Sequence, residues 1–222
     1  MSRPSDSLVH RSIVRPNRLA HQRGFTLVEL MVVVIIIAIS AALVVPMATR
    51  QLRDNQVHRI GKAVASTYRN ARMLAMARGG AVVVRYTTAN HGTLEVLEGV
   101  DDRGQGNACE ELPVPNCNRG SGAWSTTGSN PGARSVSTMS GPGGGNGPPI
   151  SIDAGGARDI CYTPMGRTMQ RAGAAVSFTA MSGPLQIQVF RGTASPTAIG
   201  LVRNVSVWPS GAARLATSEL KP

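Results

Sequence analysis

The sequence has few aromatic residues, few acidic residues and few cysteines. Aromatic side chains make up 4% of its 222 residues, whereas it contains 25 glycines and 14 prolines. A chain of this composition builds a modest core and has many residues in loops, because aromatic side chains supply much of a core's buried area. Three cysteines leave at least one without a partner in the same chain, which argues against a dense disulfide framework.

Common catalytic motifs are missing as well. The chain contains no H-E-x-x-H, C-x-x-C, G-x-S-x-G or phosphate-binding G-x-x-x-x-G-K sequence, which are signatures of metal, thiol, serine and nucleotide chemistry. Its four histidines, His10, His21, His58 and His91, show no metal-ligand spacing. The sequence therefore predicts a protein with no enzymatic activity, no cofactor and no metal ion.

Positive charge is abundant. The chain has 23 lysines and arginines against 12 aspartates and glutamates, for a formal net charge of +11. Five arginines and one acidic residue lie in the first 24 positions, so residues 25–222 carry 18 basic and 11 acidic residues, a net charge of +7. Such a charge is compatible with nucleic acid or an anionic surface as a partner but identifies neither.

A long apolar run begins at Phe25 and ends at Val45, and only Thr26, Glu29 and Ser40 interrupt it. As a helix it would be roughly 31 Å long, which matches a bilayer core of about 30 Å. A carboxylate in such a span costs on the order of 2.5–3.5 kcal/mol near the bilayer centre, and less near the end, where Glu29 lies. No basic residue of the run can pair with Glu29, so its partner must come from elsewhere.

The sequence Gly24-Phe25-Thr26-Leu27-Val28-Glu29-Leu30, followed by this apolar run, closely resembles the N-terminal signal of type IV pilins and type II secretion pseudopilins. The resemblance implies that a prepilin peptidase cleaves between Gly24 and Phe25, and that the new terminal Phe25 is N-methylated. It also implies that Glu29 pairs with the α-ammonium group of Phe25 in a neighbouring subunit. That pair would neutralise two charges that are each costly alone, and the first turn of a helix favours an anion.

Two other interpretations of the apolar run fit less well. An ordinary membrane anchor would leave Glu29 without a role. An ordinary secretory signal has an apolar region of about 7–15 residues and is cleaved after that region, whereas the matching cleavage position here precedes it.

Composition and periodicity divide the rest of the chain. Residues 1–24 predict a hydrophilic leader, residues 25–45 the transmembrane half of a long helix, residues 46–79 its amphipathic half, and residues 80–222 a β-rich domain. Pro46 should kink the helix. Basic residues are concentrated before the span, which predicts a cytoplasmic N-terminus and a C-terminal domain in the periplasm. With the resemblance, the expected location is a bacterial inner membrane before assembly and a filament afterwards.

A helix followed by many antiparallel strands predicts an α+β fold, a design that pilins share. The predicted strands cover residues 81–87, 93–97, 150–153, 159–163, 175–181, 185–190 and 201–208. Residues 99–149 are rich in glycine, proline and serine, and predict a long surface loop with one short strand near Trp124. Residues 209–222 predict a turn followed by a weak pattern.

Two C-terminal segments, residues 160–168 and 202–216, are similar to the GspH/FimT branch of minor pilins and pseudopilins. That likeness implies a non-catalytic subunit that acts in type II protein secretion or in type IV pilus assembly. Its partners would be other pilin or pseudopilin subunits, the prepilin peptidase and the lipid of the inner membrane.

Cys109 and Cys117 lie eight positions apart in the long loop, where a disulfide would restrain that loop. A periplasmic location permits such bonds. We expect this local pair, with Cys161 free. The alternative is that Cys161 pairs with one of the other two, and the sequence leaves both pairings open.

Six basic residues toward the C-terminus bear on DNA binding: Arg167, Arg171, Arg191, Arg203, Arg214 and Lys221. Some FimT-type pilins bind DNA through a Gly-Arg-x-Arg element. The corresponding place here is Gly211-Ala212-Ala213-Arg214, which keeps one arginine and makes Arg214 the candidate DNA contact. Tight binding needs several cations on one face, so we expect a solvated basic face that binds DNA weakly.

Overall fold

The computed structural model describes residues 25–101, 112–118, 124–126, 132–143, 148–173, 177–193 and 199–217. The chain forms two compact units, Met1–Met47 and Ala48–Pro222. The expected leader at 1–24, with Gly24 and its cleavage position, lies outside the described residues, and so does Cys109.

One long helix, α1, runs from Leu27 to Arg78. It begins after Thr26, whose hydroxyl oxygen accepts a hydrogen bond of 3.2 Å from the backbone N–H of Glu29; this side-chain cap satisfies one of the free donors of the first turn. It ends at Gly79, whose φ of +68° is the left-handed conformation that closes many helices. The helix continues on both sides of Pro46, and the kink expected there stays a prediction.

The apolar half of α1 is exposed along its length. Every residue from 25 to 45 is exposed, and the helix is long and apolar enough to cross a membrane. The polar Ser40 is compatible with a membrane span, because its hydroxyl donates a hydrogen bond of 2.8 Å to the Ile36 carbonyl one turn back.

The described part of Ala48–Pro222 forms the rest of α1, one 3₁₀ turn at Ala89–His91 and eleven strands. The strands are β1 Val82–Thr87, β2 Thr93–Asp101, β3 Leu112–Pro113, β4 Ala133–Ser140, β5 Ile150–Asp153, β6 Arg158–Tyr162, β7 Thr168–Ala172, β8 Thr179–Ala180, β9 Leu185–Arg191, β10 Ile199–Val207 and β11 Ala213–Thr217. They make a seven-stranded sheet in the order β3-β2-β1-β6-β7-β8, with β4 also paired to β2, and a four-stranded sheet in the order β11-β10-β9-β5. All pairings are antiparallel, and the predicted α+β fold is confirmed.

Two hydrophobic clusters lie on opposite faces of the larger sheet, because side chains alternate along a strand. Val82 and Val84 of β1 belong to the main core, together with Val64 and Tyr68 of α1. Val83, between them, belongs to a second cluster on the other face. The amphipathic half of α1 therefore covers one face of the strands through a buried stripe with three- and four-residue spacing.

The long loop contains more regular structure than the sequence predicts. Trp124 lies in a turn, and because residues 119–123 and 127–131 lie outside the described residues, the short strand expected near it stays a prediction. Strand β4 pairs with β2 from Thr93↔Ser140 to Gly99↔Ala133. The sequence of β4 alternates weakly, so pairing with a neighbouring strand supplies what local pattern does not. Strands β7 and β11 were likewise not predicted.

The disulfide joins Cys117 to Cys161, with a Cα–Cα distance of 6.1 Å and a sequence separation of 44. The expected Cys109–Cys117 pair is therefore wrong. Strand β3 pairs with the end of β2, through Val100↔Pro113. This pairing returns the loop to the sheet and places Cys117 in the second cluster with Cys161 of β6.

Candidate functional site

The N-terminal end of α1 brings together the residues expected to act in processing and assembly. Phe25 is three-quarters exposed and directly precedes the cap residue Thr26. Glu29 lies in the first turn of the helix, where it is exposed. No ion-pair partner for the Glu29 carboxylate exists among the described residues. The helix start thus offers an anion and a large apolar side chain to groups outside its own fold.

Two carboxylates are buried among the described residues of the folded unit, Ala48–Pro222, and unlike Glu29 both have ion-pair partners. Glu98, with a side chain only 3% exposed, receives Arg78 at 2.7 Å and Arg134 at 2.6 Å. Asp159 pairs with Arg171 and, at 3.4 Å, with Arg85. Each buried carboxylate is bound by two guanidinium groups, which compensates the cost of taking its charge out of water.

Several residues of the expected basic face are held by contacts inside the fold. Arg171 also lies over the Phe178 ring at 4.5 Å, a cation–π geometry. Arg191 donates to the side-chain oxygen of Gln56 at 2.9 Å. Lys221 lies outside the described residues. Arg171 and Arg191 are therefore not free members of a solvated basic face.

Arg214 instead has two basic neighbours that the sequence analysis did not connect with it. A groove of about 670 Å³ is lined by Lys62, Ser66 and Arg69 of α1 and by Ala213–Leu215 of β11. Lys62 and Arg69 are seven residues apart and so lie on one face of the helix. That spacing is visible in the sequence, but the pairing of β11 next to this face is not.

A glycine allows the strands to approach the helix beside this groove. A Cβ at Gly61 would lie 3.0 Å from the Leu215 side chain and 3.4 Å from that of Arg203, so a larger residue would require the Leu215 side chain to shift. His58, one turn earlier, has its pKa lowered, first by partial desolvation and then by the positive charges of Lys62 and Arg203. The electrostatic environment here is positive.

Three buried tyrosines lie where α1 meets the strands. The hydroxyl of Tyr86 donates to the Ile152 carbonyl at 2.7 Å. The hydroxyls of Tyr68 and Tyr162 have no hydrogen-bond partner among the described residues. Burial raises the pKa of Tyr68 and of Tyr162 well above the ordinary value of a phenol, so both remain neutral.

The described residues contain no group of three or more histidine, cysteine, aspartate or glutamate side chains that could hold a metal ion. What they offer is an apolar helix with an unpaired carboxylate, and a domain with a basic groove. This combination is that of a membrane-anchored, pilin-like subunit.

The comparison with protein families supports that class. A family model described as the prokaryotic N-terminal methylation motif matches residues 19–45, which include Gly24, Phe25 and Glu29. No curated protein and no solved structure matches the chain. The chain therefore carries a type IV pilin-like signal, which implies processing by a prepilin peptidase and assembly with other pilin subunits.

Proposed function

We propose that the chain is a non-catalytic minor pilin or pseudopilin subunit of a type IV filament machine. It acts either in type II protein secretion, as a GspH-like subunit, or in type IV pilus assembly, as a FimT/FimU-like subunit. Before assembly it is anchored in the bacterial inner membrane, with a cytoplasmic N-terminus and the folded unit in the periplasm.

One observation carries the proposal most strongly. Glu29 is exposed in the first turn of an apolar helix without an ion-pair partner among the described residues, while the matched methylation motif covers the same residues. A membrane environment penalises an unpaired carboxylate. The α-ammonium of a neighbouring subunit's Phe25 would remove that penalty, so the anchor becomes fully satisfied only in an assembly.

Mass spectrometry of the mature N-terminus tests the proposal. The full chain is expressed in two strains that differ only in a prepilin peptidase gene. In the strain with the peptidase we expect cleavage between Gly24 and Phe25 and an N-methylated Phe25. In the other strain the leader should remain. An intact leader in both strains, or cleavage after residue 45, would contradict the proposal.

A DNA-binding minor pilin is the second candidate, since Lys62 and Arg69 line the same groove as Arg214. Among the described residues three cations line this groove, and affinity for DNA rises with the number of phosphates neutralised together. We therefore expect binding at low salt that largely disappears near about 150 mM salt. Tight binding retained at that salt concentration and lost in Arg214→Ala would make DNA uptake the leading candidate.

A further inference from the structure

We propose that the groove between α1 and the outer edge of β11 binds an extended acidic segment of a different protein, which joins the four-stranded sheet as an added strand. The proposal concerns only the folded unit. It holds whether or not the apolar half of α1 enters a filament.

The residues that line the groove point to a backbone docking site. On the helix side they are Lys62, Ala63, Ser66 and Arg69, and on the strand side they are three consecutive residues, Ala213–Leu215. Side chains alternate between the two faces of a strand, so three consecutive residues line one groove only if the backbone between them also faces it. A groove between a helix and an edge strand is the geometry by which PDZ domains add a peptide strand.

The hydrogen bonds of the sheet show which backbone groups are available. The N–H of Trp208 donates to the carbonyl of Ala212 at 2.8 Å, which makes these two residues a hydrogen-bonded pair. Hydrogen-bonded pairs recur every second residue in an antiparallel ladder, and the register continues through Val207↔Ala213 to Ser206↔Arg214. Arg214 therefore directs its N–H and C=O toward β10.

By the same alternation, Ala213 and Leu215 direct their N–H and C=O groups away from β10. Strand β11 ends the four-stranded sheet, and no described strand pairs with its outer edge. These two residues therefore present two donors and two acceptors to an incoming strand. An unprotected edge of this kind is a template for strand addition.

The positive charges that line the groove indicate which kind of partner would bind there. Lys62, Arg69 and Arg214 all line the groove, and no acidic side chain does so among the described residues. The guanidinium of Arg69 is held against the helix, because its Nε donates to the Ala65 carbonyl at 3.2 Å. A segment rich in aspartate or glutamate is the complement of this lining.

The geometry also predicts where the acidic residues of the partner lie. Ala213 belongs to the main core and Leu215 packs against it, so alternation places Arg214 on the face opposite the helix. Lys62 and Arg69 are about 10 Å apart along the helix, whereas same-face residues of a strand repeat at about 6.7 Å. Acidic side chains at alternate positions of the partner strand can therefore reach both Lys62 and Arg69.

A different protein is a better occupant than a second copy or DNA. Without the leader the chain carries a net charge of +7, so the surface of a second copy complements this basic groove less well than an acidic protein does. DNA could use the three cations, but it has no regular series of amide groups to match the outward N–H and C=O groups of Ala213 and Leu215. Only a polypeptide satisfies both the charges and the edge.

Fluorescence anisotropy with the full chain in detergent micelles tests the proposal. The probe is a labelled eight-residue peptide of alternating Glu and Val, whose strand form presents all its carboxylates on one face. Two matched peptides carry backbone N-methyl groups at every second residue. One is methylated at the Glu positions and the other at the Val positions. We expect one of the two methylated peptides to bind about tenfold more weakly than the parent peptide, because its methyl groups remove the hydrogen bonds to β11. The other should bind like the parent. Equal binding by all three peptides would overturn strand addition.

Variants of the chain test the charges independently. The double variant Lys62→Ala, Arg69→Ala should lower the affinity for the parent peptide by about tenfold or more. Arg214→Ala should lower it by less, because Arg214 lies on the other face of the strand. Arg167→Ala, an exposed arginine outside the groove, should have no effect. A labelled DNA oligonucleotide that binds at about 150 mM salt while the peptide does not would overturn the proposal. So would self-association of the chain that these groove variants abolish.

Discussion

The apolar half of α1 and the folded unit handle carboxylates in opposite ways. In the folded unit, Glu98 is buried and bound by Arg78 and Arg134. In the apolar half, Glu29 is exposed, and no ion-pair partner for it exists among the described residues. The folded unit therefore supplies the counter-ions for its buried Glu98 carboxylate, whereas the Glu29 carboxylate would have to be neutralised by another molecule. We propose that this difference separates a residue that stabilises the fold from one that serves assembly.

The same contrast appears in the apolar side chains. Valines and tyrosines of the folded unit are buried against one another, whereas every residue from 25 to 45 is exposed. Exposed apolar surface of this extent requires lipid or other helices around it. The anchor thus lacks partners for both its charge and its apolar surface, whereas the folded unit buries a hydrophobic core of its own.

The largest expected effect comes from removing the unpaired carboxylate. Glu29→Gln should leave the folded unit intact, because Glu29 lies outside it, and should keep or improve membrane insertion, because it removes a costly carboxylate from the span. Incorporation into filaments should fall severely, because the neighbour's ammonium loses its counter-charge. The measurement is the fraction of subunit in sheared filaments relative to the membrane fraction.

The control for this experiment is Ser40→Ala in the same apolar half. The Ser40 hydroxyl is already satisfied by Ile36, so its loss should leave incorporation unchanged. If Glu29→Gln assembles like the wild type, the distinction between the two carboxylates has no functional meaning.

The disulfide gives the next largest effect, and it acts within the folded unit. Cys161→Ser should lower the free energy of unfolding by about 2–4 kcal/mol, since a bond closing a loop of this length restricts the unfolded chain. Equilibrium unfolding in denaturant measures the change. Cys109→Ser is the matched control and should change nothing, because Cys117 already pairs with Cys161. Non-reducing peptide mapping that recovers a Cys109–Cys117 peptide would contradict this pairing.

The buried carboxylate of Glu98 is the comparison for the exposed carboxylate of Glu29. Glu98→Gln should destabilise the folded unit by about 1–2 kcal/mol, because two arginines lose their shared anion. The effect is moderated by solvent, since the Arg78 and Arg134 side chains are about half exposed. Glu95→Gln, on the same strand but partly exposed, should cost less than about 0.5 kcal/mol. An equal effect of the two variants in denaturant unfolding would show that the ion pairs around Glu98 are not stabilising.

What the sequence could predict follows the same division. The span from Phe25, the need for a partner at Glu29 and the end of α1 at Gly79 all depend on neighbours within a few residues. Strands with clear alternation, such as β9, were predicted for the same reason. Local pattern is sufficient where a single element determines its own structure.

The remainder depends on contacts between distant parts of the chain. Strand β4 has little alternation of its own and is defined by pairing with β2. The disulfide depends on β3 returning the loop to the sheet. The convergence of Lys62 and Arg69 with Arg214 depends on β11 lying next to α1. None of these contacts has a signature in the local sequence, so they could not be predicted from it.

The smallest expected effects concern two buried tyrosines, one with a hydrogen-bond partner and one without. Tyr86→Phe removes the bond to the Ile152 carbonyl and should lower the free energy of unfolding by about 1 kcal/mol. Tyr68→Phe removes a hydroxyl that has no partner among the described residues. It should leave stability unchanged or raise it slightly, because a buried polar group without a hydrogen bond is itself unfavourable.

The pH dependence of stability sharpens the test on Tyr68. Its pKa is raised in the folded state by burial, whereas an unfolded tyrosine ionises near pH 10. Above that pH the unfolded state loses a proton that the folded state keeps, so stability falls as the pH rises. Tyr68→Phe should therefore lose less stability than the wild type between about pH 9 and 11, as measured by denaturant midpoints at each pH. A loss of about 1 kcal/mol at neutral pH in Tyr68→Phe, equal to that of Tyr86→Phe, would mean that a water molecule satisfies the Tyr68 hydroxyl. The folded unit would then be more completely hydrogen-bonded than its protein contacts show, and its contrast with the apolar half of α1 would be stronger.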